Sequence, residues 1–525
     1  MRLLPYCILL LLTIAFIPLS LREPLWLLAL TPVALLALAG TWDLVQRSQN
    51  LRRNYPVLAH VRYLMEDLRP ALRQYLFESE EDGRPFPREQ RSLVYRRAKG
   101  VNDKLPFGTL RDYYAPGHEW IHHSVRPIEP TDVRLRVDVG GSDCSQPYSA
   151  SVFNISAMSF GSLSANAIKA LNRGARLGGF AHDTGEGGIS PHHRQGGDLI
   201  WEIGSGYFGC RDERGAFDPA RFEERARDPQ VKMVEIKLSQ GAKPGSGGIL
   251  PAAKVSREIA ATRHVPMGVN CVSPSVHSAF DTPIGLLEFV ARLRERSGGK
   301  PVGFKLCIGH PIEFMAIAKA MLATGIRPDF IVVDGAEGGT GAAPLELANR
   351  VGTPLREGLI FARNILVGTG LKADIRLAAS GKVTSGYHLA ANMALGADWC
   401  NAARGFMFAL GCIQSLACHT DHCPTGVATQ DPLRQRALVV TDKAQRVANY
   451  HAATLGALSG IVGASGMHHP GELQPRHLQR RTGDLEVQTA AELYTFLEPG
   501  ELLADPPPTF ATTWAAASAE RFALA

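Results

Sequence analysis

The sequence predicts an α/β protein whose body is a (β/α)8 TIM barrel, preceded by an N-terminal transmembrane helical hairpin and a helical lead-in segment. From about residue 150 to 410, short apolar or β-branched runs end in Gly- and Ser-rich stretches, and helical segments follow them. Strands that alternate with helices indicate a parallel sheet. Roughly 260 residues suit eight repeats better than a doubly wound sheet. The third observation is that no G-x-G-x-x-G motif opens a helix, so a Rossmann nicotinamide site is not supported.

Composition narrows the class of protein. The chain has 525 residues, of which 45% are apolar and 20% charged, so most of it is expected to fold as globular protein. Its net charge of +6 is mild, and no run of five or more basic residues appears, which argues against a nucleic-acid partner. Nine cysteines in a long chain argue against a secreted disulfide framework.

Two uncharged runs open the chain, Leu3–Leu19 and Leu25–Gly40. Each spans ~25 Å as a helix, which is short but workable for a bilayer. Arg2 precedes the first run, and several arginines follow the second, so the positive-inside bias places both ends and the catalytic domain on the cytoplasmic side of the inner membrane. A single anchor or a peripheral apolar hairpin is the alternative.

A signal peptide is a further alternative, since Ala37-Leu38-Ala39 offers a cleavage site. The apolar part before it is too long for a signal h-region, and Arg22 and Glu23 interrupt it. The predicted domains are a membrane hairpin (1–43), a helical or irregular lead-in without a catalytic constellation (44–135), a barrel with a cysteine-cluster loop (136–475) and a C-terminal extension (476–525).

Two late loops suit a phosphate group. The stretches "SGKVTSG" (Ser380–Gly386) and "AARG" (Ala402–Gly405) follow the expected strands seven and eight. Barrels commonly hold a cofactor phosphate there, on backbone N–H groups at a helix N-terminus. Two ordinary glycine turns are the alternative. The candidate phosphate-binding residues are Ser380, Gly381, Lys382, Ala403 and Arg404.

Three closely spaced cysteines, Cys412, Cys418 and Cys423, form a C-x5-C-x4-C pattern. A disulfide would leave one thiol over, and zinc would need His419 or His422 as a fourth ligand. Buried, inert thiols are also possible. Three thiolates suit an iron–sulfur cluster, and the missing fourth cysteine fits a three-iron form.

Five stretches together resemble one family. They are "SAMSFGSLSANAIKALNRGA", "DTGEGGISPHH", "VEIKLSQGAKPGSGGILP", "DGAEGGTGAAP" and "GCIQSLACHTDHCPTGVATQDP". They cover roughly residues 95–475 and resemble the FMN-binding synthase domain of glutamate synthases, in particular short stand-alone proteins with an N-terminal membrane segment. The resemblance implies a barrel that holds FMN beside a [3Fe-4S] cluster, with the three cysteines as metal ligands.

The resemblance also implies a reaction, the reduction of 2-iminoglutarate, formed from 2-oxoglutarate and ammonia, to L-glutamate. Glu186, on a glycine loop, would handle protons, although a lone glutamate there is usually only solvated. Lysines at a barrel mouth suit the carboxylates of an oxo-diacid. The expected catalytic residues are Glu186 and Lys243, and the expected substrate-binding residues are Ser162, Lys237, Gln240 and Arg263.

Other residues are expected at the flavin. The small residues of "SAMSFGS" let a flat ring approach the backbone. Lys305, at an interior strand position, is a candidate to stabilise negative charge near flavin N1, because a buried lysine is costly unless paired; an outward-facing lysine is the alternative. The remaining candidates, beside the phosphate loops, are Met158, Ser159, Gly338, Gly339 and Thr340.

Departures from the family pattern open alternatives. Ile249 stands where the family has a substrate-binding glutamine, and Ser246 replaces a glutamate, so a different 2-oxo acid, imine or C=C substrate is a second hypothesis. Cys7 lies inside an apolar run, so no glutaminase nucleophile is expected, and ammonia would come from solution or a separate enzyme. The expected electron donor is a ferredoxin or a flavoprotein subunit. A membrane-anchored electron-transfer flavoprotein and a non-redox, phosphate-binding barrel are the other candidates.

Overall fold

The computed structural model of the chain describes residues 2–129 and 135–522. The chain divides into two compact units, Met1–Arg88 (unit 1) and Glu89–Ala525 (unit 2). This boundary falls inside the predicted lead-in, 44–135, whose residues 130–134 lie outside the described part. The predicted domain limits therefore stay predictions.

Unit 1 is helical. Its helices are α1 (Leu4–Arg22), α2 (Leu27–Val45), α3 (Asn50–Asn54) and α4 (Leu58–Leu72), with a 3-10 turn at Pro24–Trp26 and a π-helical turn at Arg73–Phe77. The segments Leu4–Arg22 and Pro24–Val45 have mean hydropathies of 2.3 and 1.8, and few of their residues are buried. By length and composition, these two helices could cross a membrane. The structure therefore has the pair of apolar helices expected from the sequence.

Unit 2 contains the described strands. In chain order they are β1 (Glu119–Ile121), β2 (Arg136–Val139), β3 (Tyr148–Ser151), β4 (Phe153–Ile155), β5 (His182–Asp183), β6 (Leu199–Ile203), β7 (Val231–Lys237), β8 (Ile249–Leu250), β9 (Cys271–Val272), β10 (Val302–Leu306), β11 (Phe330–Asp334), β12 (Arg376–Ser380), β13 (Trp399–Ala402), β14 (Leu478–Arg481) and β15 (Val487–Thr489).

Helices separate most of these strands. They are α5 (Arg88–Lys99), α6 (Ala165–Gly178), α7 (Pro219–Ala226), α8 (Arg257–Arg263), α9 (Pro283–Arg296), α10 (Pro311–Thr324), α11 (Leu345–Arg350), α12 (Leu355–Gly368), α13 (Gly386–Ala394), α14 (Arg404–Leu410), α15 (Pro432–Arg436), α16 (Val440–Ala464), α17 (Ala490–Leu493), α18 (Glu501–Ala504) and α19 (Pro508–Ala516).

Eight strands close into a parallel barrel. The order is β4-β5-β6-β7-β10-β11-β12-β13, and β13 returns to β4 with Asn401 opposite Asn154. The β8–β9 pair is an antiparallel insertion between the fourth and fifth barrel strands. This confirms the predicted (β/α)8 barrel, and it brings the carboxyl ends of all eight strands to one face, where the chemistry of such barrels lies.

The barrel is covered by tightly packed helices. Every residue of β4, β6 and β10 is buried, as expected for strands with a helix layer outside and side chains filling the inside. The 25-residue α16 packs closely on α6 at Gly174, where a Cβ would lie 2.4 Å from Val447 Cγ1. The sequence needs glycine there because the two helices leave no room for a side chain.

Candidate active site

Four polar side chains meet where β5 and β7 end. Glu186 lies in the loop after β5, Lys237 is the last residue of β7, and Gln240 and Lys243 follow in the next loop. Lys237 Nζ lies 3.1 Å from Glu186 Oε2 and donates to Gln240 Oε1 at 2.5 Å. The structure thus brings the predicted catalytic and substrate-binding residues of these two loops into one cluster, which we call the mouth cluster.

The mouth cluster combines a proton acceptor with a proton donor. Burial by itself raises the pKa of Glu186, but the charges of Lys237, Arg263 and Lys243 outweigh it, so the net pKa lies below its usual value. Burial and the neighbouring Lys237 ammonium lower the pKa of Lys243, although Glu186 opposes them. Glu186 is therefore an ionised carboxylate, and Lys243 releases a proton more readily than an ordinary lysine.

The serine loop (residues 156–164) lies against the mouth cluster. The hydroxyls of Ser159 and Ser162 are 3.0 Å apart. Arg263 donates from Nη2 to Ser159 Oγ at 3.2 Å and to the Phe160 carbonyl at 3.0 Å. A Cβ on Gly187 would lie 2.9 Å from both Arg263 and Ser159, so the loops that carry Glu186 and Ser159 are in contact through this glycine.

Arg263 positions this loop. Its side chain is buried, and the bonds above hold the serine loop in place. The predicted contact of Arg263 with a substrate carboxylate stays a prediction. Met158 is buried in the same loop, beside Gly185, where a Cβ would lie 3.0 Å from the Met158 carbonyl carbon.

The predicted phosphate loops lie at the ends of the seventh and eighth strands. Ser380 ends β12, with its hydroxyl 3.4 Å from that of Ser156, and Gly381 and Lys382 follow it. Lys382 has a φ of 49°, a left-handed conformation that a lysine adopts only where the fold imposes it. Arg404 begins α14 directly after Ala403, so two cationic residues follow neighbouring strands.

Arg404 also faces two other loops. A Cβ on Gly339 would lie 1.8 Å from Arg404 Nη1, so the guanidinium packs directly on that glycine. Burial lowers the pKa of Arg404, while Asp334, Cys418 and Cys412 oppose the shift. The guanidinium therefore lies among a carboxylate and two of the three predicted metal-ligand thiols.

The glycine loop (residues 335–341) connects the two ends of the site. A Cβ on Gly338 would lie 3.6 Å from the Ala242 nitrogen, next to Lys243, and one on Gly341 would lie 3.8 Å from Cys418 Cβ. Gly339 and Thr340, between them, are exposed. The loop predicted to contact the flavin thus runs from the mouth cluster to the cysteines.

Lys305 lies inside the barrel, as predicted, and its partners are three acids that sequence reasoning missed. Its ammonium pairs with Glu202 and, at 3.0 Å, with Glu235 Oε1. Asp183 completes the group, since carboxylate oxygens of the three acids lie within 4.8 Å of one another. All four side chains are buried. We call this group the interior cluster; the predicted role of Lys305 at flavin N1 stays a prediction.

The interior cluster contains three carboxyl groups but one ammonium group, and this excess of acids raises carboxyl pKa values. Burial raises the pKa of Glu235 to about 7, with Lys305 opposing and Glu202 reinforcing the shift. Burial and the two neighbouring glutamates also raise the pKa of Asp183 well above normal. Glu202 is a lone charge within the apolar strand "LIWEI", the same signal that identified Lys305. Glu235 shares its strand with two lysines, and Asp183 ends a two-residue strand, so the strand pattern offers no such signal for them.

Cys412, Cys418 and Cys423 lie in the loop after α14, and all three are free thiols. Burial raises the pKa of Cys412 to about 12, and the charges of Cys418 and Cys423 add to it, so the three thiols are close enough to interact. Among the described residues, however, they do not gather within 4.8 Å as a group. The role of these three thiols as metal ligands, which the resemblance implies, therefore stays a prediction.

Lys254 was also missed by sequence reasoning, and it connects the cysteine loop to the serine loop. Its buried ammonium donates to the carbonyls of Ser162, Cys418 and Ala428 at 3.1–3.2 Å. Gln430 adds bonds to the carbonyls of Gly161 and Leu163 at 3.0 and 2.9 Å. A lysine within the apolar stretch "ILPAAKV" was the available signal.

Ile249 lies close to the mouth cluster. It pairs with Val272 in the β8–β9 hairpin, and 46% of its surface is exposed. A Cβ on the preceding residue, Gly248, would lie 1.8 Å from Glu186 Oε1. The departure from the family pattern noted at residue 249 therefore lies next to the candidate catalytic carboxylate.

Comparisons with known proteins find the following similarities. A family model described as a conserved region in glutamate synthase matches residues 125–468. The glutamate synthase large subunit-like protein YerD of Bacillus subtilis (strain 168) is 37% identical over 497 residues, which cover 86% of this chain and 94% of that protein. An archaeal-type glutamate synthase (NADPH) of Thermotoga neapolitana is 34% identical over 59% of each chain. A crystal structure of mandelate oxidase with (S)-2-phenylpropionate is 17% identical and covers 76% of this chain and 98% of its own, with a TM-score of 0.40.

Proposed function

This chain belongs to the glutamate synthase family and is an oxidoreductase of that kind, and we propose that it reduces 2-iminoglutarate, formed from 2-oxoglutarate and ammonia, to L-glutamate with FMN and a [3Fe-4S] cluster. The observation that carries the proposal is the mouth cluster. It places two ammonium groups, an amide and an ionised carboxylate together at the face of the barrel where such enzymes act.

The residues present fit both cofactors. Lys382 and Arg404 supply positive charge for a phosphate at the ends of strands seven and eight, and Ser380, Gly381 and Ala403 supply small neighbours. Met158, Ser159 and residues 338–340 would line the flavin. The free thiols of Cys412, Cys418 and Cys423 are the donor set that an iron–sulfur cluster requires. When bound, FMN supplies a hydride and the cluster supplies electrons one at a time.

The side chains of the mouth cluster perform the proton transfers. Lys237 and Gln240 bind a carboxylate of the oxo acid, with Ser162 in the adjoining loop. As ammonia adds to the carbonyl carbon, Glu186 accepts a proton from the nitrogen, which its lowered pKa permits. Lys243 donates one proton to the carbonyl oxygen, which its lowered pKa favours, and Glu186 returns the proton that it accepted, so that the oxygen leaves as water. Arg263 holds Ser159 in place during these steps.

A second candidate is the same machinery acting on a different 2-oxo acid or imine. It is favoured by Ile249, which directly follows Gly248 beside the Glu186 carboxylate and whose aliphatic side chain cannot bind a carboxylate. A substrate with an apolar side chain in place of the second carboxylate would fit that position. If Ile249→Gln creates or raises turnover of 2-oxoglutarate with ammonia, this second candidate is supported.

The membrane and the electron donor complete the proposal. Helices α1 and α2 anchor the chain in the inner membrane, and Arg2, Arg47, Arg52 and Arg53 place the catalytic barrel on the cytoplasmic side. A ferredoxin or a flavoprotein subunit supplies the electrons.

The test uses anaerobically purified full-length protein. FMN content, acid-labile sulfide and an EPR spectrum measure the cofactors, and reduced ferredoxin drives turnover of 2-oxoglutarate with ammonia. We expect one FMN per chain and a three-iron EPR signal. Protein without flavin would overturn the whole proposal, whereas loaded protein that is inactive on 2-oxoglutarate but active on monocarboxylic 2-oxo acids would favour the second candidate.

A further inference from the structure

We propose that α4, together with the π-helical turn at Arg73–Phe77, lies on the surface of an anionic lipid bilayer with its apolar face in the membrane interface. The inference concerns unit 1 alone and rests on the proposed insertion of α1 and α2. The proposed ligand of this segment is a lipid surface, and the segment takes no part in the proposed reaction.

The apolar face of α4 is turned outward. Six large apolar side chains recur at helical spacing along one side, and each is at least 37% exposed. Ala59, which points away from that side, is the residue that is buried. A helix of a soluble domain shows the reverse arrangement, with its apolar stripe against the core. The six are Leu58, Val61, Leu64, Met65, Leu68 and Leu72.

The start of α4 is fixed beside the end of the hairpin. Asp43, fully buried in the last turn of α2, accepts hydrogen bonds from the Val57 backbone and from His60 Nε2, both at 2.9 Å. Gly40 packs against the Tyr6 ring and the Val57 side chain. A 19-residue helix spans about 28 Å, close to the hydrocarbon thickness of a bilayer, so α4 begins at the depth of the membrane interface.

Charge favours an anionic lipid surface over a neutral one. Between residues 46 and 77 there are six arginines and two acidic residues, a net charge of +4. On the helical wheel, Arg62 and Arg69 flank the apolar face, where long side chains reach the headgroups while their stems stay in the interface. Tyr75 and Phe77 are exposed aromatic residues of the kind enriched at membrane interfaces. A protein partner would not require this combination of flanking arginines, interfacial aromatics and a fixed depth.

The test places an environment-sensitive fluorescent amino acid at Leu68 or at Glu66 in the full-length protein. The two positions are only ~3 Å apart along the axis of α4 but lie on different faces of the helix, so Glu66 is the matched control. The protein is reconstituted in nanodiscs of phosphatidylcholine with about 30% phosphatidylglycerol, in which some lipids carry a nitroxide near the headgroup. We expect quenching at Leu68 about threefold stronger than at Glu66, with a blue-shifted emission.

A third probe position, Leu11 in α1, separates the two membrane proposals, because it reports hairpin insertion through lipids with a nitroxide deep in the chain. Quenching at Leu11 with equally weak quenching at Leu68 and Glu66 overturns the surface proposal and leaves the hairpin standing. A protein or solvent would then cover the apolar face. No quenching at Leu11 overturns both. In discs of phosphatidylcholine alone, Leu68 quenching should fall by about half; unchanged quenching would refute the requirement for anionic lipid.

Discussion

Replacing Lys305 by Met removes the cation that Glu202 and Glu235 share inside the barrel. Both carboxylates and Asp183 are fully buried, so any of them that stays ionised loses its counter-charge where water cannot replace it. Removing one partner of such a pair typically costs about 3–5 kcal/mol. Unit 2 has roughly 440 residues, which corresponds to an unfolding entropy of about 0.9 kcal/mol/K. The midpoint of thermal unfolding should therefore fall by about 4 °C at pH 8.

The dependence on pH distinguishes this mechanism from simple loss of packing. The pKa of Glu235 is about 7 even with Lys305 opposing the shift, so without Lys305 it rises further. A carboxyl group whose folded-state pKa lies above its unfolded value contributes stability at low pH and loses it as the pH rises through the folded-state pKa. The K305M deficit should thus be largest above pH 7 and fall to less than about half by pH 5, where Glu235 and Asp183 are protonated.

The assay is thermal unfolding of the full-length variant in detergent at pH 5 and pH 8, followed by intrinsic fluorescence. Lys232→Met is the matched control, because Lys232 lies on β7, the strand that carries Glu235, is partly exposed and faces Asp198 at 3.8 Å. Surface pairs of this kind are worth about 0–1 kcal/mol, so the control should shift by about 1 °C or less. A K305M shift that is equal at both pH values, or as small as that of the control, would refute the reasoning.

Three further variants test the rest of the site. Lys243→Met should lower kcat by about 10²–10⁴ without changing flavin content, because it removes the proton donor but not the cofactor loops; a smaller loss would assign the proton to another group. Cys418→Ser should abolish the three-iron EPR signal while FMN stays bound, and a persisting signal would exclude this ligand. Lys254→Met should speed limited proteolysis of the cysteine loop by roughly tenfold or more, since three backbone carbonyls lose their shared donor; unchanged cleavage would show that Lys254 does not hold the loop in place.

The barrel was predictable because strand length, loop composition and helix alternation are local signals. The same is true of Glu186, on the glycine-rich loop after β5, and of Lys237, at the end of β7, which the closed barrel brings to one face. Their 3.1 Å contact was not predictable, because it depends on the register of β5, β6 and β7 around the barrel. The residues of the mouth cluster could be predicted from the sequence, but their proximity follows only from the barrel topology.

The partners of the buried charged residues were harder to predict from the sequence. Lys305 could be identified because burying a lysine costs free energy unless it is paired. The sequence of a single strand, however, does not show which acids on neighbouring strands face it. Glu202 and Glu235 stand opposite one another in the β6–β7 ladder, and that pairing exists only once the register is fixed. Lys254 was missed for the same reason, since its acceptors lie some 90 to 170 residues away in the chain.

Three cations, of which Arg263 and Lys254 are buried, join the loops of the site, and this explains how glycine-rich segments can hold a fixed geometry. Arg263 ties the serine loop, Lys254 ties the serine loop to the cysteine loop, and Arg404 packs against the glycine loop near the cysteines. The acceptors of Lys254 are backbone carbonyls, and Arg263 likewise binds the carbonyl of Phe160, so the bonds fix the path of the chain and leave most side chains of the loops free for substrate and cofactor. A loop held by buried charge-assisted bonds opens only if a cation is left unpaired, which is costly in a dry interior. The loops therefore gain their rigidity from cations rather than from apolar packing, which their small residues could not provide.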